Sequence, residues 1–368
     1  MRMKPLVAAV IALALVFGSL GTGIATPLQP LNFYTGGAAF SADGVDSSGN
    51  NATAGSSGFL RVQTASNPTV AQAFLYNITF GGTPGPTDTA TATLNSNPVT
   101  LSFAGTQNLI SGFDLSTFRA DVTSIVAPLV NGGPGGIVNV PISAIGGDTH
   151  GGSSDGAALM VVYRAPSIPS IQSVGIIDGS QGGSGGPQTA AFALAGPLDK
   201  SVPGFNAILS VGINFSFQGA GGHACGSVGQ FSLIDVNGTR LSSCAGNYDD
   251  GGAFDGGLIT IGGVGDSTDN PADPNCSAGS PCASSLTDDE LYDVSNLLHQ
   301  GDTSVFLTTF NPSNDDALFV AALQLDAQIT DVCQENCAPA PVPEPGTLLL
   351  LGTSLAGLAG ASRYFRKP

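Results

Sequence analysis

The stretch from Asp155 to Gly179, DGAALMVVYRAPSIPSIQSVGIIDG, decides the fold. It holds two apolar runs, Ala157–Arg164 and Ser170–Ile177, and neither follows the 3.6-residue period of a helix. Pro166 and Pro169 stand between them, where proline interrupts a helix or a paired strand. Short apolar runs bounded by Pro, Gly and Asp read as β-strands. Working outward, the same signature recurs at Thr69–Phe80, Thr89–Leu94, Val99–Phe103, Gly136–Val140, Ala190–Leu194, Ala207–Phe217, Gly229–Val236, Leu258–Ile261, Thr303–Thr309 and Ala317–Ile329. Connections such as Gly81–Pro86, Gly146–Ser154 and Gly179–Pro187 are Gly-rich and read as turns or loops.

The segments on either side of Pro166 echo one another. The first half carries VAQAFLYNITF, ATLNSNPVTLS, FRADVTSIV, GIVNVPIS and DGAALMVVY, in that order. The second carries ILSVGINFSF, FSLIDVNGTRLS, ELYDVSNLL, TSVFLTTF and DDALFVAALQL. Each half therefore has strands around an Asn-containing turn, an Asp-Val-(Thr/Ser) element and two late strands. The pattern predicts an internal duplication, with one helical turn after Asp121 and another after Asp293. The expected fold is all-β: two antiparallel β-sandwich domains, jelly-roll-like or immunoglobulin-like, over residues 26–166 and 167–331. A signal helix over 1–25 and a hydrophobic sorting helix within 343–368 are expected to flank them, with 332–342 as linker.

Of the 368 residues, 27 are acidic and 10 basic, for a formal charge of -17. An apolar fraction of 42 % is too high for wholesale disorder. The 52 glycines show no every-third-residue period, which excludes collagen. The acidic balance argues against nucleic acid as a partner, since phosphate recognition needs a basic footprint. Residues 26–342 hold 26 acidic side chains against Arg61, Arg119, Arg164, Lys200 and Arg240, a bare charge of -21. Repulsion on that scale favours solubility and weakens the compact state unless counter-ions neutralise it.

Both ends read as addresses. Arg2 and Lys4, an apolar run from Leu6 to Leu20, and small residues Gly23 and Ala25 form the three-part layout of a secretory signal, cleaved near Ala25–Thr26. The partners implied are export machinery and signal peptidase. At the other end Pro343, Glu344 and Pro345 precede an apolar stretch, Leu348 to Ala361, closed by Arg363, Arg366 and Lys367. Basic residues beyond an apolar segment hold that end in the cytoplasm, and the stretch is near the short limit for a span. This arrangement resembles the PEP-CTERM sorting signal of Gram-negative bacteria. The resemblance implies an exosortase that recognises the motif, transient inner-membrane anchoring, cutting near the motif, and release or attachment at the cell surface. It also implies an association with exopolysaccharide, biofilm and floc formation. Through FRADVTSIV, Asp155–Gly179 and LYDVSNLL…ALFVAALQL, the body resembles uncharacterised β-rich domains of bacterial and archaeal surface proteins. That likeness implies architecture more than activity.

The six cysteines are Cys225, Cys244, Cys276, Cys282, Cys333 and Cys337, all in the second half. An even number in an exported chain favours disulfides, and sequence distance suggests 225–244, 276–282 and 333–337 among the possible pairings. A zinc site is the rival reading, but CQENC is one residue longer than Cys-x-x-Cys. Acidic residues cluster at Asn247–Asp255, at Asp266–Asn275 and at Asp288–Asp293. Of these, Asp266, Asp269, Asp273 and Asn275 offer closely spaced oxygens for a structural Ca²⁺; the plain alternative is a solvated acidic loop.

Enzyme readings lack residues. The three histidines, His150, His223 and His299, sit in no nucleophile or metal motif. Paired carboxylates could serve a glycosidase, but Glu is rare in the body and Trp is absent. The expectation is a non-enzymatic exported surface or matrix protein, retained in or interacting with exopolysaccharide. The alternatives are a carbohydrate-binding module with a defined sugar pocket, and a self-associating fibre or sheath subunit.

Overall fold

A computed structural model describes residues 28–46, 56–108, 114–181, 186–214, 224–225, 232–245, 259–268, 274–275, 280–281, 290–312 and 316–334. The N-terminal part comprises β1 (Gln29–Tyr34), β2 (Ala38–Asp46), β3 (Ser56–Thr64), β4 (Thr69–Phe80), β5 (Thr89–Leu94), β6 (Asn97–Asn108) and β7 (Asp114–Asp121). Helix α1 (Thr123–Val130), β8 (Gly136–Ile145) and β9 (Ser153–Arg164) complete it. The C-terminal part begins with β10 (Ser173–Asp178), β11 (Gln188–Leu194), β12 (Ala207–Asn214), β13 (Ala224–Cys225), β14 (Ser232–Val236) and β15 (Thr239–Ala245). It continues with β16 (Ile259–Ile261), β17 (Ser280–Pro281), β18 (Leu291–Asp293), β19 (Ser304–Phe310), β20 (Ala317–Leu325) and β21 (Ile329–Gln334). A 3-10 turn at Ser295–Leu297 follows β18.

In the first half, eight strands form one antiparallel sheet in the order β2-β9-β4-β7-β6-β5-β8-β3. The sheet curls until its edge strands meet. There the Ser41 hydroxyl accepts the Gln63 N–H at 2.9 Å, and the Asp43 carboxylate accepts the Arg61 backbone N–H and its guanidinium, Nη2 at 2.7 Å. Side chains rather than a backbone ladder close this partial barrel, whose interior is filled by Leu60, Leu75, Leu101, Phe118, Val140 and Leu159.

The second half uses the same succession of strands, divided differently. A six-stranded sheet runs β1-β10-β20-β12-β16, with β18 also on β12, and a five-stranded sheet runs β15-β14-β19-β11-β21. Phe192, Leu209, Ile234, Leu307 and Leu323 pack between these two sheets. A third core lies between the barrel wall and the six-stranded sheet, where Phe74, Tyr76, Met160 and Val162 meet Ile176, Ile261, Phe319 and Val320. The six-stranded sheet is thus covered on both faces, and every residue of β10 is buried. Burial on both faces explains why β9, β10 and β20 read as near-continuous apolar runs.

The duplication is visible bond by bond. Val122 N–H donates to the Ala73 carbonyl at 2.8 Å and Val294 N–H to the Ala207 carbonyl at 2.9 Å. Ala73 N–H donates to Thr123 Oγ1 and Ala207 N–H to Ser295 Oγ, both at 2.9 Å. Asp121 Oδ1 accepts Thr123 N–H at 2.9 Å, and Asp293 Oδ1 accepts Ser295 N–H at 2.8 Å. Register agrees as well: Leu75 lies between Leu159 and Ala120, and Leu209 between Leu323 and Tyr292.

The expectation of two sandwiches flanked by terminal helices is corrected here. The first half is a single curled sheet because β6 runs on to Asn108 and pairs with β7, joining what would be two sheets. In the second half no pairing joins β15 to β18 among the described residues, and the strands fall into two sheets. Strand β1 also crosses over to pair with β10. Among the described residues the α-helix is α1, and none is long and apolar enough to cross a membrane. The expected transmembrane helix is therefore not found; its residues, like the signal segment, lie outside those described.

Candidate functional site at the seam between the halves

The barrel meets the six-stranded sheet along a seam that Gly263 allows, beside a second close approach at Gly262 within the sheet. A Cβ on Gly263 would sit 2.0 Å from the Ala42 carbonyl oxygen, and one on Gly262 would sit 2.1 Å from the Glu290 carbonyl oxygen. With no side chains there, Val264 N–H reaches the Ala42 carbonyl at 2.9 Å and ties the segment after β16 to β2. Beside this contact the surfaces part into a cleft of about 390 Å³.

Strand alternation sets the lining. Leu60 and Val62 fill the barrel, so Arg61 and Gln63 project to the other face of β3. Gln63 and Thr64 line one wall with Phe40; Gln324 of β20, Asp266 and Thr268 line the other, and Tyr163 is also part of the cleft. Gln324 Oε1 accepts the Phe40 N–H at 3.3 Å, which leaves the amide's Nε2 hydrogens available to the cleft. Asp266 accepts the Gly263 N–H and carries the one carboxylate of the lining. The Arg61 guanidinium is committed to Asp43.

Deeper in the seam lies a buried polar lock. The Tyr76 hydroxyl donates to Asp178 Oδ2 at 3.0 Å, and the Arg119 guanidinium pairs with the same oxygen. Arg119 also stands 5.7 Å over the Phe74 ring. Burial pushes the Asp178 carboxyl above its ordinary range, against the pull of Arg119 and the hydrogen bonds it accepts. Burial, with the Asp178 charge beside it, drives the Tyr76 phenol well up. A second polar chain links β1 through β4 to the end of β7: Asn32 donates to Tyr34 Oη at 3.1 Å, Tyr34 bonds Gln72, and Gln72 donates to Asp121 Oδ2 at 3.1 Å. Burial pushes Tyr34 up to about 12. These groups hold the halves together and expose no nucleophile.

The residues singled out in sequence are placed as follows. Asp266 lies at the cleft, Asn275 is exposed in a turn beside Pro274, and Asp269 and Asp273 lie outside the described residues. Among the described residues no three His, Cys, Asp or Glu side chains are grouped to hold a metal. Cys333 lies in β21 opposite Ala191 and is disulfide-bonded. Cys225 lies in β13 and Cys244 in β15, with side chains that are not described; Cys276, Cys282 and Cys337 lie outside the described residues. No disulfide between two described side chains is found; the partner of Cys333 lies outside the described side chains. Pro343, Glu344 and Pro345 lie outside the described residues. His150 Nδ1 stands 3.6 Å from Asp88, and Asp148 accepts Thr79 Oγ1–H at 2.6 Å and the Gly152 N–H at 3.0 Å, a loop-holding arrangement. Sequence reading missed Phe40, Gln63, Tyr163 and Gln324; the Gly262-Gly263 pair was the available signal of close approach.

Comparison with known proteins matches residues 341–367 to the PEP-CTERM protein-sorting motif. No curated protein matches the chain at a significant level. The chain is an exported, PEP-CTERM-bearing surface protein, and the motif implies an exosortase as its processing partner.

Proposed function

We propose that this protein is a non-enzymatic component of the cell surface, retained in an exopolysaccharide layer. The observation that carries the reading is the sorting motif at 341–367, behind a body made of two fused β units. Such a body supplies broad rigid faces, and its buried polar groups serve packing across the seam rather than chemistry. The strong acidity of the chain keeps it dispersed on export and favours contacts through neutral rather than anionic groups.

The test is retention. Cells exporting the protein are compared with cells in which polysaccharide synthesis is blocked, and the surface and medium fractions are quantified. The reading expects the protein to be exported and processed in both, but to move from surface to medium when the polysaccharide is absent. Unchanged surface retention without polysaccharide would overturn it. A hydrolytic activity in the purified protein that disappears on heat unfolding would overturn its non-enzymatic part.

A further inference from the structure

We infer that the seam cleft is a binding site for a neutral sugar unit; the inference rests on the polysaccharide reading and gives it a place on the molecule. Four observations carry it. The first is size: about 390 Å³ lies at the lower end of ligand-pocket volumes and suits a sugar unit rather than a folded segment. Pockets of this kind occur preferentially between packed units, and this one lies where the barrel meets the six-stranded sheet.

The second is the supply of uncommitted polar groups. The Gln63 carboxamide and the Thr268 hydroxyl line the cleft and make no side-chain hydrogen bond with a described residue, and Gln324 keeps its Nε2 hydrogens. A carboxamide offers a donor and an acceptor side by side, and adjacent sugar hydroxyls need that combination. Two carboxamides and a hydroxyl therefore match a ligand that both donates and accepts around its rim.

The third is the apolar part of the lining. Phe40 is half-buried, and with Ile208 and Leu291 it gives a ligand's C–H face a surface to cover. The fourth is charge. Among the described lining residues Asp266 supplies the only charge, the nearby Arg61 is paired with Asp43, and the chain as a whole is at -17. A uronic acid would meet the repulsion of the Asp266 carboxylate, whereas a neutral sugar would not. The same seam has no counterpart elsewhere in the duplication, because the cleft is made by the contact between the halves rather than by either half.

The experiment uses the protein released by the producing cells. Calorimetric titrations are run with cellobiose, maltose, galactose and N-acetylglucosamine, and with glucuronate as the acidic counterpart. At least one neutral saccharide should saturate a single site, and glucuronate should neither bind nor compete. Gln63→Ala, on an exposed side chain, should weaken that binding about tenfold or more with an unchanged melting temperature. Thr268→Val, at a second point of the lining, should weaken it in the same direction. Absence of binding by every neutral saccharide, or binding that neither substitution alters, would overturn the inference. Retention assays on Gln63→Ala cells separate the two readings. Surface retention that survives loss of saccharide binding leaves the matrix role standing and removes the cleft from it. Saccharide binding by a protein whose retention ignores polysaccharide supports the cleft and removes the matrix role.

Discussion

The two halves of this molecule make the same hydrogen bonds around Asp121-Val122-Thr123 and Asp293-Val294-Ser295, yet one is a curled single sheet and the other a pair of sheets. The shared part is the crossing at which β4 or β12 meets the short element after β7 or β18. The part that differs is one edge. In the first half β6 pairs with β7; in the second no pairing of β15 with β18 is found among the described residues. The β6–β7 pairing thus makes one continuous sheet of the first half, while the described strands of the second half lie in two sheets. The comparison also shows what each half lacks alone: β9 and β20 are covered only because the halves pack on each other.

The largest effect should come from the shared core. Phe319 is fully buried, and its ring centroid lies 5.7 Å from that of Tyr76. Phe319→Ala should cost about 3–5 kcal/mol, the usual scale for removing a buried aromatic ring. Because Phe319 packs against both halves, calorimetry should show one transition for the whole body, shifted as a unit. Two transitions with only the later half displaced would mean that the halves are energetically separate.

Next comes the lock. Asp178→Ala leaves the Arg119 guanidinium and the Tyr76 hydroxyl without their partner in the seam. Breaking a buried pair from one side costs about 3–5 kcal/mol, and the partial exposure of Arg119 brings the expected loss to about 2–3 kcal/mol. Denaturant unfolding measures it; a loss below about 1 kcal/mol would reduce the pair to an ordinary surface contact.

The duplicated motif gives a matched pair of smaller effects. Thr123→Val and Ser295→Ala each remove the oxygen that accepts a backbone N–H, from Ala73 and Ala207 respectively. Each should cost about 1–2 kcal/mol, the penalty for an orphaned buried donor. The double variant should equal the sum within about 0.5 kcal/mol, since the sites share no partner. Markedly unequal losses would show that the resemblance of the two crossings is geometric but not energetic.

Much of this duplication was legible in the order of five segments, and the Asp-Val-(Thr/Ser) element marked its centre. Strand type and the buried faces followed from alternation. The curl was not legible, because β6 continues through Gly105, Thr106, Gln107 and Asn108, a polar stretch that ends the apolar signal although Thr106 and Gln107 are buried. Nor were β1, β2 and β3 among the expected strands, since QPLNFY and its neighbours are mixed in polarity and lie at edges. The seam was hidden for a different reason. Periodicity tells which face of a strand is buried, but not what buries it, so the apolar run in β9 announced a two-sided strand without naming the second partner. The cleft residues are outward-facing Gln, Thr and Phe whose meaning depends on a neighbour far along the chain.

The smallest expected effect lies in the two hairpin turns. Asn95-Ser96 joins β5 to β6 and Asn237-Gly238 joins β14 to β15, and all four residues have positive φ: 45°, 62°, 49° and 75°. Two such residues in succession are what a type I′ hairpin requires. Both turns dock alike, Asn95 N–H on the Pro141 carbonyl at 2.7 Å and Asn237 N–H on the Phe306 carbonyl at 2.9 Å. The difference is that Ser96 bears a Cβ in a conformation glycine adopts freely, at a cost of about 1–2 kcal/mol. Ser96→Gly relieves that strain but gives the unfolded chain more freedom, worth about 0.4–1 kcal/mol, so the net gain should be about 0.5 kcal/mol. A Cβ on Gly238 would meet no atom within 4 Å, so Gly238→Ser adds backbone strain without a clash. It should lose about 0.5–1 kcal/mol, the reverse of the same balance. Paired melting curves of the two variants against the parent measure both signs. If Ser96→Gly were destabilising, the Ser96 side chain would be stabilising its hairpin in a way the second half does without. The turns would then be equivalent in shape but not in what holds them.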